Sequence, residues 1–240
     1  PESFMLDLFY AALDTVLTRR LSNVHKKYVT EVSPTAYDLE TSFQWIAQRV
    51  ENYGAHVDID YTREHLDKFN AYCEKVEVWC KDEYNVKPGS NAAIIKILSD
   101  AGFEFSKATK SGAIALDAEV LENVDHPLAQ AVLNRRRLQK LASTYLRFYV
   151  TNADSDSLVH PSINTLGTRT SRMSMDHPNL QNLPRPSAKN PAANVVRNCI
   201  SARPGHTLLM CDFDQVEMRG LAIVSKDEGL RRAYLEPEDF

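Results

Sequence analysis

The sequence predicts an α+β chain, a helical first two thirds joined to a mixed α/β end, and three observations carry that prediction. Apolar residues recur at three- and four-residue spacings from position 6 to about position 150, the period of helices with one buried face. From Leu158 the texture changes to short extended pieces and loops rich in proline, with Pro161, Pro178, Pro184, Pro186 and Pro191. Thr207-Leu208-Leu209-Met210-Cys211 then reads as a buried strand ending on Asp212, with a helix to follow. A chain of 240 residues, 43% hydrophobic and 25% charged, has the composition of an ordinary folded protein. Its mean hydropathy of -0.37, without any apolar run near the roughly 18 residues a span needs, excludes a transmembrane helix. Positions 1–8 have neither the basic start nor the apolar core of a signal peptide.

The elements follow in order. Positions 6–24 read as a helix through Leu6, Phe9, Tyr10, Leu13, Val16, Leu17 and Leu21, and Ser33-Pro34 breaks the chain. A second helix spans about 37–53 and is closed by Gly54, the residue that most cheaply takes a left-handed cap. An extended piece at 55–59 leads to a third helix at about 62–83, and Pro88-Gly89-Ser90 precedes a fourth that runs to about Asp100. A polar loop at 106–112 and a short helix at 116–123 follow, and Pro127 opens a long helix to about Val150. A loop at 151–157 ends the helical part; the last helix starts near Asp214 and reaches about Val224. Both ends look cut, so an interior piece of a longer protein is expected.

Cys73, Cys80, Cys199 and Cys211 form no CxxC pair and the seven histidines no HExxH, so neither a disulfide framework nor a zinc site is signalled. A reducing, cytoplasmic setting fits. The net charge of -4 argues against a nucleic-acid partner only until the charges are placed. Positions 131–203 hold 11 basic against three acidic residues, a local net of +8 within an otherwise acidic chain. Such segregation suits a polyanion-binding surface, since phosphates are held by clustered cations and not by average charge; a solvated basic face has the same signature.

Asp212 at the carboxyl end of an apolar strand is the strongest chemical signal, because a carboxylate fixed there holds a divalent metal while substrate approaches from the open side, and hard oxygens suit Mg²⁺. Asp214 and Glu217 have the spacing of a capping box, which gives both a structural alternative. Tyr10 and Asp14 lie four apart on one helix face, which by itself is what an ordinary amphipathic helix gives.

Asp212-Phe213-Asp214-Gln215-Val216-Glu217-Met218-Arg219 resembles motif A of the family A DNA polymerases, usually D-Y-S-Q-I-E-L-R, and the likeness continues through Leu221-Ala222, Asp227, Leu230, Ala233 and Asp239. Thr170-Ser171-Arg172-Met173-Ser174 is similar to the family's T-G-R-L-S, and Pro178-Asn179-Leu180-Gln181-Asn182-Leu183-Pro184 to its P-N-L-Q-N-I-P. Arg136 with Lys140-Leu141-Ala142-Ser143-Thr144-Tyr145 matches R-x-x-x-K-L-x-S-T-Y, and Tyr10 with Asp14 resembles the Y-x-x-x-D that ends the family's 3′→5′ exonuclease domain. These motifs occur in the family's order and at its intervals.

The resemblance implies a right-hand polymerase: 1–33 as the last helix of an exonuclease-like domain, 34–60 as the entry to the polymerase domain, 61–157 as a helical thumb, and 158–240 as part of an α/β palm. It implies transfer of dNTPs to a primer 3′-hydroxyl on primer-template DNA, in replication or repair, with two Mg²⁺ ions in the complete enzyme. Asp212 and the carbonyl of Phe213 would be metal ligands, Asp212 catalytic. Glu217, with Gln215, would select the sugar by obstructing a ribose 2′-OH. Arg172, Asn179 and Gln181 would contact DNA at the primer terminus, and Arg136, Lys140 and the 87–110 region would grip duplex phosphates. The chain departs from the family at Phe213, Asp214, Ser171 and Arg185-Pro186, which points to a divergent, phage-type member in bacterial or phage-infected cytoplasm. The fingers helix and second catalytic aspartate are expected beyond Phe240, to be supplied in cis or in trans. The alternative is a catalytically incomplete DNA-binding module or one half of a split polymerase; a single-subunit RNA polymerase is disfavoured by Gln215-Val216-Glu217.

Overall fold

The computed structural model describes residues 2–108 and 112–234, which fall into two units, Pro1–Ser201 and Ala202–Phe240. Lys110 and Asp239 lie outside the described residues, as does part of the expected loop at 106–112.

The first unit begins with two helices, α1 (Glu2–Val32) and α2 (Pro34–Tyr53). Helix α1 extends eight residues past its expected end, because no glycine or proline interrupts the chain before Pro34. Its apolar stripe, including Leu6, Phe9, Tyr10 and Leu21, faces solvent. Helix α2 ends as expected: Gly54 has φ +68° and returns its N–H to the Val50 carbonyl at 3.0 Å. A side chain at Gly54 would also meet the ring of His160 at 2.9 Å, so both backbone angle and space require glycine.

Two apolar cores follow, and the same helices build both. Helix α3 (Ile59–Tyr84), which Asp58 caps by accepting the Tyr61 N–H, lies against α6 (Pro127–Leu141). At one end Val76 and Cys80 of α3 join Ile94 and Leu98 of α4 (Asn91–Asp100), Leu121 of α5 (Ala118–Glu122) and Leu128, Val132 and Leu133 of α6. At the other, Phe69 packs with Leu141, Leu146, Tyr149, Val57, Val159 and Val196. The long helix expected from Pro127 is one rod of three parts, α6, a π-helical turn at Ala142–Leu146, and α7 (Arg147–Asn152). It consumes two residues of the expected 151–157 loop.

Two short antiparallel ladders complete this unit. β1 (Ala55–His56) pairs with β2 (Leu158–Val159), tying the start of α3 to the exit of α7. β3 (Ser162–Asn164) and β4 (Ser174–Asp176) form a hairpin in which Asn164 faces Ser174 across a loop at 165–173. Helix α8 (Ala193–Asn198), too short to show a period in a proline-rich stretch, buries Ala193 and Val196.

The second unit corrects the sequence reading. Positions 207–211 are not a strand among the described residues, and Leu208, Leu209 and Met210 are exposed, Met210 at 93%. A strand exists only where another backbone takes its hydrogen bonds, and no described residue pairs with this segment. Helix α9 (Val216–Ser225) forms as predicted and packs on α10 (Glu228–Tyr234), which was not anticipated. Asp227 opens α10, its carboxylate accepting the Leu230 N–H at 2.8 Å. Among the described residues no helix is long and apolar enough to cross a membrane.

Candidate nucleic-acid interface

Between α2 and the β3–β4 hairpin lies a groove of about 730 Å³. Leu39, Glu40 and Phe43 of α2 form one wall; Thr165, Thr168 and Arg172 from the hairpin loop, with Asn179, Gln181 and Asn182 from the following segment, form the rest. The three residues that the motifs assign to the primer terminus, Arg172, Asn179 and Gln181, therefore converge on one cavity.

Local hydrogen bonds brace the backbone that carries them. The hydroxyl of Thr168 accepts the Arg172 N–H at 2.9 Å and donates to the Arg172 carbonyl at 2.8 Å, so the loop closes on itself around Ser171, whose φ is +57°. A serine thus stands in the left-handed region here, at a steric cost that glycine would not meet. The carboxamide oxygen of Asn179 accepts the Asn182 N–H at 3.0 Å, and Tyr145, on the π-helical turn, donates its hydroxyl to the Asn182 carbonyl at 2.9 Å. Arg197 of α8 holds the same segment through the Pro184 carbonyl at 3.0 Å. Side chains rich in N–H donors and borne on a braced backbone suit a surface of sugar and phosphate oxygens and minor-groove acceptors.

The arginines of α6 are disposed differently. Arg136, half-buried, donates to the Leu116 carbonyl at 2.5 Å and to the Asn91 side chain at 2.6 Å; burial, and then the neighbouring charge of Arg135, lower its pKa. Arg135 pairs with Glu77, and Arg137 with Glu122, which also takes Lys189 at 2.5 Å. Lys189 and then Arg137 hold the Glu122 carboxyl below the usual range. Much of the basic surplus of 131–203 thus ties α4, α5 and α6 together, whereas Lys140, in the last turn of α6, is exposed.

In the second unit Asp212 and Phe213 are exposed, and Gln215, in the left-handed region at φ +46°, stands at the start of α9 without a capping side-chain bond. The expected cap by Asp214 is absent: its carboxylate meets Arg219 at 3.2 Å, and Arg219 also bonds the Asp214 and Tyr234 carbonyls. The left-handed residue between Asp214 and the helix carries the carboxylate away from the first-turn N–H groups and toward Arg219. Glu217 lies in the first turn of α9, exposed.

Tyr10 and Asp14 are exposed on α1. Among the described residues no three His, Cys, Asp or Glu side chains gather into a group able to hold a metal ion. Asp212 and the Phe213 carbonyl are hard oxygen donors of the kind Mg²⁺ takes, but they make an incomplete set by themselves.

Gln44, Thr165, Thr168 and Tyr145 were not singled out as site residues from the sequence. The polar positions Glu40, Gln44 and Glu51 on an otherwise amphipathic helix were the available signal for α2, since they share a face.

A sequence model of DNA polymerase family A matches residues 59–240. The DNA polymerase of Mycobacterium phage L5 is 28% identical over 237 residues, covering 97% of this chain and 39% of that polymerase. DNA polymerase I of Chloroflexus aurantiacus is 29% identical over 245 residues, covering 96% of this chain and 26% of its own length. Among solved structures, the POL domain of Pol1 from M. smegmatis, in complex with DNA primer-template and dNTP, superposes with a TM-score of 0.65 at 27% identity, covering 80% of this chain and 35% of that one. The chain thus spans little more than a third, or less, of these relatives. With a family match over three quarters of its length and the family's motifs in order, the chain belongs to DNA polymerase family A.

Proposed function

We propose that the chain is the thumb and partial palm of a DNA-directed DNA polymerase, adding dNTPs to a primer 3′-hydroxyl, and that the groove between α2 and the β3–β4 hairpin holds the primer-template duplex. The observation that carries this reading is the convergence of Arg172, Asn179 and Gln181, from two separate segments, on one groove. The relatives are named DNA polymerases, and the solved POL domain holds primer-template and dNTP. In this reading 61–157 is the thumb, 158–240 belongs to the palm, 34–60 leads into the polymerase domain, and α1 is the end of an exonuclease-like domain with Tyr10 and Asp14 as its remnant. The basic surplus of 131–203 then grips duplex through Arg172 and Lys140, while Arg136 shapes the thumb.

Asp212, with the Phe213 carbonyl, would hold Mg²⁺, which when bound lowers the pKa of the attacking hydroxyl and neutralises the leaving pyrophosphate. Glu217 and Gln215 would stand at the incoming sugar, obstructing a 2′-OH that a roomier pocket would tolerate. The exposed run at 207–211 would pair with strands from the remainder of the polymerase, in cis or in trans. The incomplete carboxylate set favours one second reading, a DNA-binding module or half of a split enzyme that is inactive by itself.

Primer extension by the assembled polymerase tests the proposal. Asp212→Ala should abolish nucleotide addition and leave duplex binding largely intact, since metal positioning is lost and the grip is not. Glu217→Ala should retain partial dNTP incorporation while the relative efficiency with NTPs rises. Normal extension by Asp212→Ala would overturn the active-site assignment, and unchanged sugar preference in Glu217→Ala would remove the gate.

A further inference from the structure

Helix α2 does more than wall the groove. Positions 40, 44, 47 and 51 share one face, and this face is bonded to the hairpin that bears Arg172. Ala47 is buried there, the Glu51 carboxylate accepts the Ile163 N–H of β3, and the Glu51 carbonyl bonds the His160 ring at 2.8 Å. About two turns nearer the groove, Gln44 donates from Nε2 to the Thr165 hydroxyl at 2.6 Å. Thr165 is only 2% exposed, and it is the first residue after β3, where the hairpin loop leaves the ladder.

From Thr165 onward the loop makes close bonds within the hairpin. The Leu166 N–H meets the Asn164 side chain at 3.0 Å, the Gly167 N–H meets the Asn164 carbonyl at 3.4 Å, and Thr168 closes on both backbone groups of Arg172. A substituent at Gly167 would strike the Ser174 hydroxyl at 1.8 Å, so the loop passes close over the base of β4. Thr165 ties the start of this loop to α2. That anchor is a buried hydroxyl held by a side chain from a rigid helix, and leaving it unpaired would be costly.

We propose that Gln44 is a positioning residue of the duplex grip: through the Thr165 hydroxyl it fixes the height of the 165–173 loop and hence the place of Arg172. The inference rests on the reading of the groove as the primer-template site. It adds a determinant outside the polymerase motifs, on a helix that precedes the stretch matched by the family model.

The test is primer-template binding by the assembled polymerase in a cycle of variants, with thermal melting measured alongside. Gln44→Leu, which keeps bulk and removes the donor, should weaken binding about fivefold while kcat at saturating duplex changes less than about twofold. In an Arg172→Ala background the same change should cost nothing further, because the arginine it positions is gone. Thr165→Val should reproduce Gln44→Leu, and Thr165→Ser, which keeps the hydroxyl, should behave as the parent; this pair decides the matter even if Gln44→Leu folds poorly. Full binding by Gln44→Leu and Thr165→Val, or a loss of equal size with and without Arg172, would overturn the inference. If Arg172→Ala itself leaves binding unchanged, the groove assignment falls, and this inference falls with it.

Discussion

Residues 55–201 and residues 202–234 treat their apolar side chains in opposite ways. The first stretch buries Ile94, Leu98, Leu121, Leu128 and Leu146 completely, in two cores strung along the same antiparallel helices. The second buries Ala222 and leaves Leu208, Leu209, Met210, Phe213 and Val224 to solvent. Both are rich in apolar residues, so the difference lies in partners: helices α3 and α6 meet each other, whereas 207–211 is an apolar run that no described strand pairs with. One stretch of a chain can therefore be fully packed while another leaves its apolar side chains open.

The largest expected effect sharpens this contrast. Leu98→Ala should destabilise the first unit by about 2–5 kcal/mol through lost burial and a residual cavity. Leu209→Ala should change the stability of the chain by less than about 0.5 kcal/mol. Denaturant titration of both variants checks the pair, and a large loss from Leu209→Ala would mean that 207–211 is already packed in solution.

Next in size, Arg136→Ala should cost about 1–3 kcal/mol, because it strips the buried Leu116 carbonyl and Asn91 of a charged donor. Duplex binding by the folded variant should be nearly unchanged. Binding lost without any loss of stability would return Arg136 to the phosphate grip.

A smaller effect concerns pH. Glu122 is held below the usual carboxylate range by Lys189 and then Arg137. A lowered carboxylate adds stability that is present above its unfolded pKa and fades as pH falls through the folded one, so the α5–α6 junction should weaken below about pH 4. Glu122→Gln should flatten the acid limb of melting temperature against pH. An identical limb in the variant would show that other groups govern acid unfolding.

The helical architecture was legible because its signals are local. Gly54, Pro34 and the three- and four-residue spacings mark ends and faces without reference to the rest of the chain, and α2 to α6 follow them closely. The strand at 207–211 was misread for the converse reason: apolar character describes what a segment can do once paired, and pairing is non-local. The same distinction separates the arginines. Charge counting treats Arg136 and Arg172 alike; only the fold reveals that one faces the Leu116 carbonyl and the other a groove. Motif spacing singled out Arg172, Asn179 and Gln181, which line one groove, but not Gln44 or Thr165, whose bond spans 121 positions.

The groove is the central claim, and a salt series of primer-template binding tests it most directly. The parent should bind without sequence preference and lose affinity steeply as salt rises, through counterion release. Arg172→Ala should bind about tenfold more weakly to every duplex, with a salt slope smaller by about 1 if the guanidinium meets a phosphate. Equal affinities and equal slopes for parent and Arg172→Ala would contradict the assignment of this groove to the duplex.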